Sequence, residues 1–492
     1  MKRQFLQLAT LRGAKLGLAV MSLMLYGRLF GISLQMDAWV FALGVVSAAG
    51  MMAWGPVNEI ARSRFLQQAA RDGYAAAAQG ATRLLRVTAL GSALLALLLW
   101  FAGPWLLSIL YVGARHGGSE LLVLRVFALM LPSLVLTQLL ALGCAYLNCC
   151  GIIYAPEWIG VGAALVSLAS VYGLQSALGI YSLVLAYYLG LLLSVGCVLL
   201  LLVRQRFLGA PWRPLAGPAV SDYIRFSAPL FLSYGAGQAY GLLEKTLASS
   251  LGVGLVASVN YSSQIKSSLQ AVVISVLFSL AVPRLTQAAT AGAPKPAFAL
   301  VWREVQRVVL LFLLAVLPPL WGGADLIAAV LFGKGRVRAD QFDVIVGLIR
   351  FYLIALVPVA LYQVHGVALL AQQKGRTYAV WGVAAQLLSA AFSLSLVHVM
   401  GAKAFPLALF LSSSVAAVAM ARAVGPSRHL WGELFGWLGI LALFSVLLRT
   451  FASLAQMKIG SALPTLILEA AVYGAALMAG LLWYRSRLRR LV

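Results

Sequence analysis

The chain has 492 residues, 62% hydrophobic and only 10% charged, with a formal net charge of +24. Soluble domains carry about 25% charged residues, so a soluble globular protein is excluded. The apolar runs are continuous rather than alternating, which argues against a transmembrane β-barrel.

The N-terminal segment MKRQFLQLATLRGAK leads into a full-length apolar run without a small-residue cleavage pattern, so the first helix is expected to be its own insertion signal. Apolar runs of roughly 20 residues, long enough to cross a hydrocarbon core of ~30 Å as helices, then recur along the chain. They predict fourteen spans near 10–32, 37–61, 86–112, 121–146, 156–178, 181–203, 225–250, 254–282, 306–330, 344–370, 377–399, 404–423, 430–450 and 463–484. An even number puts both termini on one side. With the N-terminus inside, the inner segments hold 24 Lys and Arg and the outer segments 7, and the positive-inside rule then makes both termini cytoplasmic. That rule also accounts for the basic balance without a nucleic-acid partner. Outer loops are short. The inner connection 62–86 is expected to run partly along the membrane surface as an amphipathic helix, and 204–225, with Pro211, Pro214 and Pro218, reads as a linker.

Shifting the chain by about 220 residues aligns Arg64-x-x-Gln67 with Arg284-x-x-Gln287, and FAGPWLLSILYVG (101–113) with WGGADLIAAVLFG (321–333). At a shift of 225–226, Arg125, Pro132 and Gln138 meet Arg350, Pro358 and Gln363. A six-span unit repeated in the same orientation is expected to build two lobes related by an axis along the membrane normal. The expected fold is an all-α integral membrane protein with an N-terminal lobe at 1–210, a C-terminal lobe at 223–425, and two extra helices with a basic tail at 426–492.

Charges inside apolar spans cost roughly 2.5–3.5 kcal/mol on insertion scales and mark candidate sites. Arg28, Arg125, Lys245, Lys266 and Arg350 lie deepest, on spans of both lobes, and suggest a cationic cavity for an anionic cargo, because Arg forks match phosphate oxygens. Asp37 and Glu59, near span ends, and Glu244, beside Lys245, are candidates for gating or ion pairing; Asp343 also lies near a span end. His365 fits either a proton-linked group or a satisfied contact between helices. The cysteines, Cys144, Cys149, Cys150 and Cys197, lack metal-ligand spacing and read as small buried hydrophobes. No P-loop, metal-ligand spacing or catalytic triad pattern is present, which points to a transporter rather than an enzyme and to no cofactor; coupling to a monovalent ion, a proton or the membrane potential is left open.

The runs RLFGISLQMDAWVFAL (28–43), EKTLASSLGVGLVASVNYSSQIKSSLQ (244–270), AVPRLTQAA (281–289) and LFGKGR (331–336) resemble the first and seventh-to-eighth helix hairpins, the exit from helix eight and the outer end of helix nine of the MurJ/MviN-type lipid flippases. The resemblance covers most of the chain. It implies membership of the multidrug/oligosaccharidyl-lipid/polysaccharide exporter superfamily, a bacterial cytoplasmic-membrane location and alternating access. It further implies a lipid-diphosphate-linked glycan and membrane lipids as partners, alongside polysaccharide polymerase or export machinery. Where lipid II flippases carry further cavity arginines, this chain has Leu16, Ser22 and Gly50, and Lys266 stands near the family's arginine in helix eight. These departures favour an undecaprenyl-diphosphate-linked repeat unit of an exopolysaccharide, capsule or O-antigen as cargo, with lipid II as the alternative. A multidrug exporter fits less well, since its cationic drugs call for acidic cavity residues, and a membrane polysaccharide polymerase fits less well because the outer loops are short.

Overall fold

The computed structural model describes residues 2–112, 120–205, 218–276, 282–290, 295–333 and 336–425, with short helical pieces at 439, 443–450, 464–465, 467–468 and 471–474. The described residues are almost entirely helical. The helices are α1 (Lys2–Leu29), α2 (Leu34–Asp72), α3 (Tyr74–Leu110), α4 (Glu120–Met130), α5 (Ser133–Cys149), α6 (Tyr154–Leu178), α7 (Tyr181–Arg204) and α8 (Pro218–Leu251). They continue with α9 (Leu255–Val276), α10 (Val282–Thr290), α11 (Lys295–Gly322), α12 (Ala324–Phe332), α13 (Ala339–Ala371), α14 (Gly375–Met400) and α15 (Ala404–Val424). The first twelve expected spans each fall on this helical framework. Most of 430–450 and 463–484, the 206–217 part of the linker, and the outer residues Arg115, Lys334 and Lys458 lie outside the described residues.

Among the described residues, seven helical stretches are long and apolar enough to cross a membrane, and the bent pair α4–α5 makes an eighth. This is an all-α multi-pass membrane protein. The helices α1, α8 and α9 fall outside that set among the described residues; they are the ones that carry Arg28, Glu244, Lys245 and Lys266.

Contacts divide the chain into two compact units, Met1–Ala257 and Ser258–Val492. In the first, α2 runs uninterrupted for 39 residues, about 58 Å at 1.5 Å per residue, well beyond a hydrocarbon core of ~30 Å. Ser33 caps its start by accepting from Met36 N at 3.2 Å, and it stops at Gly73, whose φ of 84° lies in the left-handed region that favours glycine. The connection 62–86 is thus helix on both sides of a single glycine. It packs into a core rather than lying alone: Phe65, Ala77, Ala81 and Leu84 are buried with Leu142 and Tyr146 of α5 and Val198 and Leu202 of α7. Alanine-rich turns permit so close an approach of helices.

Pro132 and Pro358, aligned in the sequence, have different effects. Pro132 sits at the 42° bend between α4 and α5, whereas Pro358 lies inside the unbroken α13. A proline removes one helical N–H and crowds the preceding turn. At the first site Leu134 N bonds Leu131 O at 3.1 Å and Ser133 Oγ donates to Met130 O at 2.6 Å, so the freed carbonyls are satisfied in a bent geometry. Pro358 has valines on both sides, which have no hydroxyl to offer.

The second unit is built on α13, which packs against α11, α12 and α15. Ser389 and Ser412 share a hydrogen bond of 2.5 Å between α14 and α15. The C-terminal pieces join this unit through Tyr473, whose hydroxyl donates to Leu314 O of α11 and whose ring meets Phe444 edge-on at 5.7 Å.

Candidate functional site

The turn between α8 and α9 contains Gly252 (φ 143°) and Gly254 (φ 87°), and it delivers the N-terminus of α9 to Asp37 in the first turn of α2. The first N–H groups of a helix have no partner of their own and carry the positive end of its dipole. Here the Asp37 carboxylate supplies them: it accepts from Gly254 N and from Ala257 N at 2.7 Å. Asp37 is 2% exposed. A side chain at position 254 would run into Ile32, just before α2, so glycine is required there for conformation and for space. Beside this junction a cavity of about 150 Å³ is lined by Leu34, Asp37, Tyr111 and Ser249–Val253. Asp37 therefore caps a helix that is distant in sequence and fastens the α8–α9 hairpin to the start of α2.

From that junction α8 runs antiparallel along α2. The Lys245 stem lies over Gly44, in the space a β-carbon would need. The Tyr234 ring lies over Gly55 in the same way, and its hydroxyl donates to Glu59. Further along, the Arg64 guanidinium stacks 3.8 Å from the centre of the Phe226 ring. Glycines at 44 and 55 let long side chains of α8 lie flat on α2, which brings the two helices close.

Of the predicted cationic residues, Arg28 at the end of α1 and Arg125 in α4 are exposed, while Lys245 is half-buried on α8. Lys266 on α9 is half-buried, with its ammonium 5.9 Å from the Tyr352 ring of α13. Arg350 differs: it is paired with Asp325 of α12 and lies 5.6 Å from the Trp321 ring. Glu59 is exposed and holds Tyr234, Glu244 is half-buried, and Asp343 is exposed. His365 is buried at 3% exposure and its Nδ1 accepts from Trp302 Nε1 at 3.1 Å; this is the satisfied contact between helices, with the ring locked edge-on to Trp302.

Sequence reasoning missed three partners. Tyr234 was not singled out, although a tyrosine among the small residues of SYGAGQAYG (233–241) is a polar group in need of an acceptor. Asp325 and Lys15 were also missed. Lys15 Nζ lies 2.5 Å from Glu157 of α6, with Arg12 at 3.9 Å from the same carboxylate. A first-span lysine and an acidic residue at the start of the fifth span are the only trace of that pair in the sequence.

The long, bent and glycine-contacted helices define a polytopic helical membrane fold. Among solved structures, "Lipid II flippase MurJ, inward closed conformation" is similar at a TM-score of 0.77 and 14% identity, covering 98% of this chain and 100% of that one. An inward-facing multidrug resistance MATE transporter of the MOP superfamily is similar at 0.67 and 14% identity, covering 88% and 95%. The Vibrio cholerae MATE transporter VcmN in its bent form is similar at 0.55 and 15% identity, covering 89% and 97%. These likenesses establish the fold. Residues 28–468 match the family described as Lipid II flippase MurJ, and the chain belongs to that family of lipid flippases, which are transporters and not enzymes. No curated protein sequence matches it.

Proposed function

We propose that this protein carries lipid II, the polyprenyl-diphosphate-linked peptidoglycan precursor, across the bacterial cytoplasmic membrane by alternating access. The observation that carries the reading is the family match over residues 28–468. In this reading Arg28, Arg125, Lys245 and Lys266 engage the diphosphate, which suits their charge and their exposed or half-buried positions. Arg350 takes part from within its pair with Asp325. Arg28, Lys245 and Lys266 stand on α1, α8 and α9, which among the described residues fall outside the set of helices long and apolar enough to span a membrane, and this fits side chains turned toward water. Asp37 and Glu59 act as latches, Asp37 on the N-terminus of α9 and Glu59 on Tyr234. We further propose the two six-span lobes, 1–210 and 223–425, with 426–492 appended, and both termini in the cytoplasm, on the 24-to-7 asymmetry of basic residues. A cationic site also makes the cycle sensitive to membrane potential, at about 2.3 kcal/mol per charge per 100 mV.

A second reading, a flippase for an exopolysaccharide, capsule or O-antigen repeat unit on the same carrier, is favoured by one observation. By the resemblance in sequence, Leu16, Ser22 and Gly50 stand where lipid II flippases carry cavity arginines. Ser22 Oγ is turned back onto Leu18 O at 2.9 Å, and a β-carbon on Gly50 would meet Leu134 at 3.0 Å, so position 50 is packed closed. The two readings separate in cells. Expression that restores growth after depletion of the host's own peptidoglycan flippase supports lipid II. Failure there, with rescue of a repeat-unit flippase null, assigns the second cargo.

A further inference from the structure

In the second unit, charges converge on one aromatic ring. Trp321 ends α11. The Arg350 guanidinium lies 5.6 Å from its ring centre and that of Arg449, on the 443–450 piece, lies 5.9 Å away. Asp325, in the first turn of α12, accepts from Arg350. Two cations thus share one ring, and one of them, Arg350, is paired with a carboxylate. Asp325 is half-exposed, Arg350 is 16% exposed and Arg449 is exposed, so the cluster opens to its surroundings on the Arg449 and Asp325 side.

The hydrogen-bond account is also incomplete. Trp321 Nε1 and Arg350 Nε are buried without an acceptor among the described residues, and Arg449 pairs with no described carboxylate. Buried donors ordinarily find acceptors. Attraction of a guanidinium to a ring face holds a cation in place but gives these N–H groups nothing to donate to. A second guanidinium beside the first also leaves net positive charge where screening is weak. What this arrangement lacks is an anion with several acceptor oxygens, and phosphate matches guanidinium forks in charge and geometry.

We propose that Trp321, Arg350 and Arg449 form a phosphate-receiving site for a lipid headgroup. This rests on the flippase reading above. In the orientation proposed there, Arg449 closes the thirteenth span on the outer side, so the site would take the diphosphate as the cargo leaves. The same chemistry is offered by the phosphate of an ordinary anionic phospholipid, and the test distinguishes the two.

The test uses the full chain in phosphatidylcholine nanodiscs, with undecaprenyl diphosphate as one probe and phosphatidylglycerol as the other, and bound lipid counted by native mass spectrometry. Arg449→Gln removes an exposed side chain, Trp321→Phe keeps a ring and removes the donor, and Arg449→Lys keeps charge and removes the fork. The expected result is binding of undecaprenyl diphosphate by the native chain, weakened about 10-fold by Arg449→Gln and less by the other two, on the strength of a charge-assisted fork. Phosphatidylglycerol binding stays unchanged. Loss of phosphatidylglycerol binding alone supports the site and makes bilayer phospholipid its source. Native-level binding of both probes by all three variants overturns the site while leaving the flippase reading intact. Absence of diphosphate binding by the native chain overturns the flippase reading itself.

Discussion

Replacing Asp37 by Ala removes the acceptor for two backbone donors, Gly254 N and Ala257 N. Hydrogen bonds to a charged acceptor contribute about 1.5–3 kcal/mol each, and a buried donor left without a partner loses a comparable amount. With partial relaxation of the turn, the junction weakens by about 3 kcal/mol, which is roughly 100-fold in its opening equilibrium. Hydrogen–deuterium exchange of the protein in nanodiscs reads this directly: exchange at residues 254–257 accelerates about 100-fold in Asp37→Ala where opening limits it. Asp37→Asn keeps one acceptor oxygen but turns an amide toward the second donor, so about a tenfold acceleration is expected, the loss of roughly one such bond. Both variants should still insert, since the helices keep their packing. Native exchange at 254–257 in a correctly inserted Asp37→Ala protein would refute the capping role.

The glycines under α8 and α9 behave differently from one another. At Gly44 an added β-carbon meets only the far end of Lys245, so Gly44→Ala should change thermal stability little, by under about 1 kcal/mol, while displacing Lys245 and lowering cargo binding in a vesicle flipping assay. Gly254→Ala meets Ile32 at a φ of 87°, and a strained backbone conformation of that kind costs about 1–3 kcal/mol, so a measurable fall in melting temperature is expected. Trp302→Phe leaves His365 Nδ1 buried without its donor and should destabilise by about 1–3 kcal/mol, with the pH dependence of flipping unmoved; a shifted pH profile would instead make His365 a proton carrier. Substituting Arg28, Lys266 or Arg350 by Ala should abolish flipping in inserted protein, and full activity of all three variants rules out the cationic cargo site.

The spans, and the all-α membrane class, were legible because a bilayer demands long apolar helices and leaves few other signals. Asp37 was legible as a charge near a span end, but its partners are backbone N–H groups more than 200 residues away, and backbone leaves no residue-type signature. The length of α2 was hidden because its last turns, rich in Arg, Gln and Ala, read as a surface segment. Arg350 and Lys266 looked alike as in-span cations. Tertiary packing gives Arg350 both the Asp325 carboxylate and the Trp321 ring and sets Lys266 near the Tyr352 ring, placements the sequence does not show. Lysine stems laid over glycines at Gly44 and Gly160 follow the same rule: the sequence lists small residues, and the fold decides which long side chain uses the space.

The uninterrupted course of α2 has a mechanical meaning. Asp37, which holds the α9 end, and Arg64, which stacks on Phe226, lie 27 residues apart on one rod, about 40 Å. Pro56 divides that rod unequally, with about 28 Å toward Asp37 and about 12 Å toward Arg64. Were that rod to tilt rigidly about a point near Pro56, a displacement of about 1 Å at Arg64 would swing the Asp37 end by more than about 2 Å, enough to take its carboxylate out of hydrogen-bonding reach of the α9 amides.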